Sequence, residues 1–288
     1  MSLGVLADGL GVDEGTVRNR VRGYHVSGFI RGWRTVLNPT LFGGGEIAVW
    51  MEVGDSVSKD EVLEEARLLP GAVLINCLHG KGAVVVLRYR DEIEVKRQID
   101  LLLRLARAQW RVLGRVPFPP CDLRLSAADR TILQCLREDP RKPAVVVSRE
   151  LDLSARTVRR RIQRMLDGHA VFAFPALDPK ALTGTLMGGL FVTYYADRKA
   201  EVDEQVAVHL EEHLWHVFHM LPYAPGGLHP CYYNLFMPNL AKAREILRWA
   251  HDLPGVAECR LELLEDVETR FEVFDDELEK RLVKGSQA

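Results

Sequence analysis

The segment from Ser154 to Leu166 contains five arginines and no acidic residue. Val158, Ile162 and Met165 recur in it at helical spacing, so they predict the apolar side of a helix that Ser154 can cap. The arginine guanidinium forks onto guanine edges and phosphates, so the opposite side is chemically suited to the major groove of DNA. A solvated helix face is the alternative interpretation, and it stays open. The side chains assigned to DNA are Arg156, Arg160, Gln163 and Arg164, with Ser154, Thr157 and Arg159 assigned to its phosphates.

The neighbouring residues predict the elements that would position this helix. Ser126 and Asp129 have the spacing of a capping box at the start of an earlier helix. A second helix is predicted over residues 145–150, and a short turn leads from it to Ser154. Two helices joined by a short turn, the second of them basic, indicate a helix-turn-helix, and Phe172–Pro175 would follow as a wing strand.

The same pattern occurs twice in the chain. Residues 5–41 align with residues 146–181, and Leu37-Asn38-Pro39 corresponds to Leu177-Asp178-Pro179. The first copy begins at its second helix, and glycines on its recognition helix cost about 1 kcal/mol each and cannot read bases. We therefore expect a degenerate or supporting first copy. The outward positions of its recognition helix are Gly15, Asn19, Arg22 and Gly23.

Each copy is followed by a segment that reads strand, helix, strand, strand, helix, strand. In the first copy the predicted elements cover 46–53, 59–69, 73–78, 83–87, 91–105 and 109–116. In the second copy they cover 188–195, 200–212, 216–221, 232–237, 240–253 and 256–264. This order predicts an α+β fold in which tandem winged helix-turn-helix units alternate with ferredoxin-like βαββαβ domains. One face of each sheet carries no helix, so we expect it to pack on the other copy or on another chain.

These patterns divide the chain into four predicted domains. Their bounds are 1–42 for a degenerate winged helix-turn-helix that lacks its first helix, 43–120 for a ferredoxin-like domain, 121–182 for a DNA-binding winged helix-turn-helix, and 183–288 for a second ferredoxin-like domain with an acidic C-terminal extension.

The formal net charge of the chain is −2, from 38 basic and 40 acidic residues, but the charges are unevenly distributed. The arginine segment is purely cationic, whereas Asp252–Ala288 carries eleven acidic and five basic side chains. A near-neutral total therefore does not argue against nucleic-acid binding. We expect the acidic end to stay away from DNA and to form a partner or oligomer surface.

Several classes of protein and site are not expected. The five cysteines are scattered without a CxxC pair, and no signal peptide precedes them, which indicates reduced thiols in the cytoplasm. No stretch approaches the roughly 20 apolar residues of a membrane-spanning helix. Nucleophile signatures, phosphate-binding loops and dinucleotide fingerprints are missing from the sequence.

Five of the nine histidines lie between positions 209 and 229. His209 and His213 are spaced i,i+4 and on a helix could present two nitrogens to one metal ion. No further ligand is assigned by the sequence, so we expect a helix-surface pair and no metal site. His216 and His219 differ by an odd number, so in one strand they point to opposite faces.

The motifs of the second copy resemble the Lrp/AsnC (feast/famine) transcription regulators. They are Asp129-Arg130-Thr131-Ile132-Leu133 in the first helix, Thr157-Val158-Arg159-Arg160-Arg161-Ile162 in the recognition helix and Leu177-Asp178-Pro179 after the wing. The resemblance implies a regulator of double-stranded DNA that forms homo-oligomers through its ferredoxin-like (RAM) domains and senses a small effector there. It places effectors near the turns at His79–Gly82 and Pro222–Pro230, neither of which has the glycine-then-acid pattern usual in the family. The candidate effector-binding residues are Tyr223, His229 and His219.

A second resemblance supports an alternative function. Val217-Phe218-His219, the loop that follows it and Tyr232-Tyr233-Asn234-Leu235-Phe236 resemble a segment of siroheme decarboxylases, which share this build and are sometimes fused as two copies. This resemblance implies a siroheme or heme-like tetrapyrrole as ligand, either in an enzyme or in a heme-related binding protein. His219 would then be a tetrapyrrole ligand or acid/base residue, with Tyr233 and Tyr223 nearby.

Overall fold

The structure is a computed structural model that describes residues 3–224 and 227–284 of the 288-residue chain. It confirms an α+β fold in which two helical units alternate with two βαββαβ domains. The first helical unit contains α1 (Leu3–Leu10), α2 (Glu14–Val26) and the wing strand β1 (Ile30–Leu37). The first sheet domain contains β2 (Gly45–Glu52), α3 (Lys59–Arg67), β3 (Ala72–Leu78), β4 (Gly82–Tyr89), α4 (Glu92–Ala106) and β5 (Trp110–Val116).

The second half repeats this order, with three additions. Its helical unit has three helices where the described part of the first has two, a short strand follows the second sheet strand, and a helix follows the last one. The helical unit contains α5 (Ala127–Leu136), α6 (Ala144–Glu150), α7 (Ala155–Asp167) and the wing strand β6 (Val171–Leu177). The sheet domain contains β7 (Leu186–Tyr194), α8 (Lys199–His209), β8 (Leu214–His219), β9 (Leu221–Pro222), β10 (His229–Met237), α9 (Leu240–His251) and β11 (Val256–Thr269), and α10 (Phe271–Lys284) follows.

The two sheets form one antiparallel sheet of nine strands, in the order β8-β10-β7-β11-β3-β4-β2-β5-β9. Strand β11 makes the connection because residues 256–263 pair with β7 and residues 264–269 pair with β3. The predicted last strand covered only the first of these two segments. The second segment is recruited by the free edge of β3, since unpaired strand edges attract further strands.

The helix-free sheet faces of the two copies pack on each other. Trp50 of the first domain lies 5.4 Å from Phe191 and 5.6 Å from Tyr232 of the second, measured between ring centroids. All three side chains are buried, and together with the neighbouring aliphatic residues they form the core between the sheets. The chain thus covers within itself the faces expected to need a partner.

The two helical units are joined through their wings. Strands β1 and β6 form a separate two-stranded antiparallel sheet, with Trp33 opposite Pro175. Asn38, at the end of β1, is fully buried and its side-chain amide donates to the carbonyls of Pro119 and His169, each at 2.8 Å. The wing pairing thus links both helical units to the linker between the two halves.

Helix α10 packs on α5, β1 and β3 of its own chain. Its Glu277 accepts a hydrogen bond from the buried guanidinium of Arg88 at 2.6 Å, and Arg88 also bonds Glu46 and lies 4.5 Å from the ring of Phe274. This side of the acidic end is therefore an internal contact and not the partner surface that charge alone suggested. It is held by the opposite charge of Arg88 from the first sheet domain.

No helix in the described ranges combines the length and apolar character needed to cross a membrane. All five cysteines are free thiols.

Gly189 provides a test of the packing between the sheets. A Cβ atom there would lie 2.2 Å from the Tyr232 ring, whereas a Cβ at Gly23, in α2, would meet nothing within 4 Å. We expect Gly189→Ala to lower the free energy of unfolding by about 1–3 kcal/mol, because the buried ring must shift. Gly23→Ala should be neutral or stabilising by up to about 1 kcal/mol, because alanine favours helix. Urea unfolding of both variants checks this, and equal effects would contradict it.

Candidate nucleic-acid interface and polar cluster

Helix α7 begins as its sequence predicts. The Ser154 hydroxyl accepts from the Thr157 backbone N–H at 3.1 Å and donates to the Thr157 hydroxyl at 2.9 Å, so both side chains belong to the cap. Val158 and Met165 are fully buried against α5 and α6 and fix the helix to the unit. The opposite side of α7 is thereby turned to solvent.

Two of the five arginines are held by a residue outside the helix. The Asp129 side chain, fully buried in α5, pairs with Arg161 at 2.9 Å and with Arg164, and also closes the capping box with Ser126. Burial raises the pKa of the Asp129 carboxyl, but hydrogen bonds from Ser126 and Arg161 and the charge of Arg164 outweigh burial and hold the pKa below its usual value. Arg164, predicted to contact DNA, therefore already has a partner in its own domain.

Arg156, Arg159 and Arg160 form the remaining cationic surface of α7. All three are exposed, and none has an ion pair with another described residue. Gln163 is exposed on the same helix and donates to Asp167 at 2.7 Å. This surface has donors and positive charge but few internal partners, which is the condition for binding phosphates and base edges.

The corresponding helix of the first copy differs. On α2, Arg18 pairs with Glu14 at 2.5 Å and Arg22 donates to Asn19 at 3.1 Å. Val17 is the buried residue of this helix, whereas α7 buries both Val158 and Met165. The cationic side chains of α2 are thus partly neutralised along the helix itself.

The second sheet domain contains a polar cluster formed by Lys199, Asp203, His219, Cys231 and Tyr233. The Tyr233 hydroxyl donates to Asp203 Oδ1 at 2.7 Å, and Lys199 pairs with Asp203 Oδ2. His219 Nδ1 lies 3.4 Å from both Lys199 Nζ and Cys231 Sγ, and 3.6 Å from Asp203 Oδ1. Helix α8 supplies the charged pair, while β8 and β10 supply the other three side chains.

Burial sets the protonation of the cluster. It raises the pKa of the Cys231 thiol to about 12, and it also raises the pKa of Tyr233, where nearby Cys231 and Asp203 add to the effect. Partial burial lowers the pKa of His219, against the opposing influence of Asp203. The cluster at neutral pH therefore has a protonated thiol and phenol beside a neutral imidazole, whose ring is partly open to solvent.

The structure brings together only some of the residues predicted as a ligand site. His219 and Tyr233 belong to the polar cluster. His229 is adjacent to it, because its ring is parallel to that of Tyr194. The Lys199 ammonium of the cluster lies over the same Tyr194 ring, 5.9 Å from its centroid. Tyr223 is elsewhere, 5.1 Å from the guanidinium of Arg115 in the first domain. Of the predicted Pro222–Pro230 turn, residues 225 and 226 lie outside the described residues.

Sequence reasoning missed Lys199, Asp203 and Cys231. Lys199 and Asp203 have i,i+4 spacing, and Cys231 and Tyr233 have the period of one strand face, so both signals were present. What the sequence does not show is that α8 crosses β10 at this point.

The proposed pair of His209 and His213 on one helix is wrong. Helix α8 ends at His209, whose ring stacks on Trp249 at 3.9 Å, and His213 follows in a turn. The predicted helix extended to residue 212, but the chain turns before β8, where the N–H groups of His213 and Leu214 both donate to the Leu210 carbonyl. His216 and His219 do point to opposite faces, because His216 stacks on Phe218 while His219 faces Cys231.

Comparison with known proteins relates one part of the chain to a sequence family. Residues 125–166 match the AsnC-type helix-turn-helix domain. The whole sequence has no match among curated proteins.

Solved structures resemble the chain at greater length. A structure of the siroheme decarboxylase NirDL covers 99% of this chain and 94% of its own, with a TM-score of 0.62 at 14% identity. NirDL in complex with an iron-uroporphyrin III analogue covers 98% and 92%, with a TM-score of 0.60 at 13% identity. The structure of E. coli AsnC covers 50% of this chain and 94% of its own, with a TM-score of 0.37 at 14% identity. At these identities the similarity to the NirDL structures shows a shared two-copy fold and does not assign an activity.

The arginines of α7 fall into two groups. Arg161 and Arg164 fasten α7 to α5 through Asp129, whereas Arg156, Arg159 and Arg160 remain outside this contact. Helix α7 is thus held at a defined orientation by some of the side chains that make it cationic.

Asp129→Asn tests this fastening. The amide cannot balance two guanidinium groups, so we expect about 1–3 kcal/mol lower stability at pH 7. The pKa of Asp129 is depressed on folding, so its contribution is present above the ordinary value of 3.8 and disappears as the pH falls through the lower folded pKa. Thermal unfolding at pH 7 and pH 2.5 should show a smaller deficit for the variant at pH 2.5 than at pH 7.

Asp167→Asn is the matched control because Asp167 is exposed and bonds only Gln163 among the contacts described above. It should change stability by less than about 0.5 kcal/mol at either pH. A deficit for Asp129→Asn that persists unchanged at pH 2.5 would contradict the charge-based explanation.

Proposed function

We propose that the chain is a sequence-specific DNA-binding transcriptional regulator of Lrp/AsnC type. The observation that carries the proposal is the exposed arginine surface of α7, where Arg156, Arg159 and Arg160 have no ion pair with a described residue. Unpaired guanidinium groups on a rigid helix are available to base edges and phosphates without first breaking internal contacts.

The orientation of α7 supports this proposal. Asp129 fixes the helix against α5, and Val158 and Met165 bury its inner side. A recognition helix held this way presents its outer side chains with little loss of conformational freedom on binding. Its N-terminal turn also directs backbone N–H dipoles outward, where phosphates are stabilised.

The second sheet domain is the proposed place for a small effector. His219 is partly exposed in the polar cluster, and His229 lies beside it with a buried Nδ1 atom that has no hydrogen-bond partner in the described chain. Homo-oligomerisation through the ferredoxin-like domains stays a prediction. The helix-free sheet faces already cover each other, so such an assembly would use the outer edges or helices. A cytoplasmic location also stays a prediction.

Arg160→Ala tests DNA binding. Loss of one base-contacting arginine should weaken binding to the preferred sequence by roughly 5-fold to 100-fold, equivalent to about 1–3 kcal/mol. Fluorescence anisotropy with labelled genomic fragments selected by the wild-type protein measures this. The wild-type affinity should fall steeply with salt, since each released counterion adds to the slope.

Arg104→Ala is the control, because Arg104 is an exposed arginine on α4 of the sheet domain. It removes the same charge from the chain and should leave DNA affinity within about twofold of wild type. Equal affinities for the Arg160 variant and wild type, or a flat salt dependence, would overturn the proposal.

A second candidate function is a siroheme-decarboxylase-like enzyme that processes tetrapyrroles. It is favoured by the polar cluster, in which the partly exposed His219 ring lies beside the hydrogen-bonded Tyr233–Asp203 pair. Loss of CO₂ from a substrate carboxylate leaves a carbon that must accept a proton, and histidine and tyrosine are the usual carriers. In this interpretation His219 is the tetrapyrrole ligand or acid/base residue, Tyr233 assists it, and siroheme or a heme-like tetrapyrrole is the ligand.

A visible spectrum distinguishes this candidate. Adding siroheme to the protein should shift its absorption bands, and His219→Ala should abolish the shift. His251→Ala, at an exposed histidine on α9, should retain it. A wild-type spectrum that equals free siroheme removes this candidate and leaves the DNA proposal untouched.

A further inference from the structure

Three side chains of the polar cluster have the ligand atoms of a metal site. Asp203 Oδ1, His219 Nδ1 and Cys231 Sγ come from α8, β8 and β10 and lie within 4.8 Å of one another. They belong to three separate elements whose relative positions are fixed by the buried core of this domain. The arrangement therefore does not depend on a flexible loop.

Two of the three distances between ligand atoms match those around a tetrahedral ion. With Zn–N near 2.05 Å, Zn–S near 2.3 Å and Zn–O near 2.1 Å, tetrahedral angles require about 3.6 Å between N and S and about 3.4 Å between N and O. The observed separations are 3.4 Å from His219 Nδ1 to Cys231 Sγ and 3.6 Å from His219 Nδ1 to Asp203 Oδ1. Each of these two separations agrees within about 0.2 Å with the tetrahedral value. The third pair of ligand atoms, from Asp203 and Cys231, lies within 4.8 Å, so closure on an ion requires at most a small movement of these side chains.

We propose that Asp203, His219 and Cys231 bind a divalent transition-metal ion of the Zn²⁺ type. Binding of the ion releases the proton of the Cys231 thiol to solvent. The resulting thiolate, with the imidazole, selects Zn²⁺, Co²⁺ and related ions over Mg²⁺ and Ca²⁺, which prefer oxygen. Three protein ligands leave a fourth position, and the partly exposed side of His219 opens that position to water or a small ligand. The site goes beyond the proposed DNA binding and replaces the expectation of no metal.

Tyr233 is a hydrogen-bond partner of one of the three ligands. Its hydroxyl donates to Asp203 Oδ1 at 2.7 Å, which orients the carboxylate and leaves that oxygen a second lone pair for the ion. Such outer partners typically contribute 10-fold to 100-fold to metal affinity.

The positive charge of Lys199 should weaken metal binding at this site. Its ammonium pairs with Asp203 Oδ2 and lies 3.4 Å from His219 Nδ1, so it supplies the positive charge that a metal would otherwise bring. Lys199 is the first residue of α8 and its side chain is 39% exposed, so it can turn into solvent when the ion enters. Removing this charge should strengthen metal binding, an effect that a purely structural lysine would not produce.

Cobalt titration of the reduced, metal-free full-length chain tests the proposal. Wild type should take up one Co²⁺ with a thiolate-to-cobalt charge-transfer band in the near ultraviolet and the strong visible bands of tetrahedral Co²⁺, and Zn²⁺ should displace it. Cys231→Ser should lose the charge-transfer band, and His219→Gln should weaken Co²⁺ binding by more than about 100-fold, beyond the loss expected for an outer partner. Tyr233→Phe should weaken it by roughly tenfold.

Two further variants keep the interpretation specific. Cys259→Ser removes another buried thiol of the same domain and should leave the cobalt spectrum unchanged. Lys199→Met should bind Co²⁺ at least about tenfold more tightly, because a competing charge within a few ångströms is gone. A wild-type chain without the thiolate band, a band that survives Cys231→Ser, or a Lys199→Met variant that binds no more tightly would each overturn the proposal. None of these readouts depends on DNA, so failure here is distinct from failure of the regulator proposal.

Discussion

The sharing of β11 between two sheets is the constraint on which the rest of the molecule depends. Seven of its residues pair with β7 and five further along pair with β3, so a single strand carries the hydrogen-bond ladder of one domain into the other. Backbone ladders fix both direction and register. Once this register is set, the two open sheet faces lie opposite each other, and Trp50 meets Phe191 and Tyr232. The wings and the helical units follow from this placement.

Buried charges then complete the connections between units. Arg88 joins β4 to the acidic α10 and to β2, and Asp129 joins α5 to the recognition helix. A buried ion pair adds little net stability because its charges lose hydration, but a missing partner leaves a charge that is expensive to bury. These contacts therefore favour one arrangement of the units over others of similar hydrophobic burial.

The sequence predicted the features that depend on near neighbours. The capping box at Ser126 and the N-cap at Ser154 are correct because a cap is decided within three residues, and the order of strands and helices followed from periodicity. The contacts that it could not predict join distant residues. Arg161 meets Asp129 across 32 positions, Arg88 meets Glu277 across 189, and the polar cluster needs three separate elements. The distribution of charge along the sequence likewise did not predict that α10 packs on α5 and β1.

The pairing of β1 with β6 has a consequence for how the protein responds to its own concentration. In an assembly of two polypeptides, dilution separates the halves, and the pairing of the two helical units depends on an association equilibrium. Here both helical units belong to one polypeptide and are held together by strand pairing, so their effective concentration for each other does not change with the amount of protein in the cell. The two halves can also differ in sequence, because they lie in one chain and no symmetry operation requires the same residue in both. A cationic helix and a polar cluster in the second half therefore need no copy of themselves in the first half.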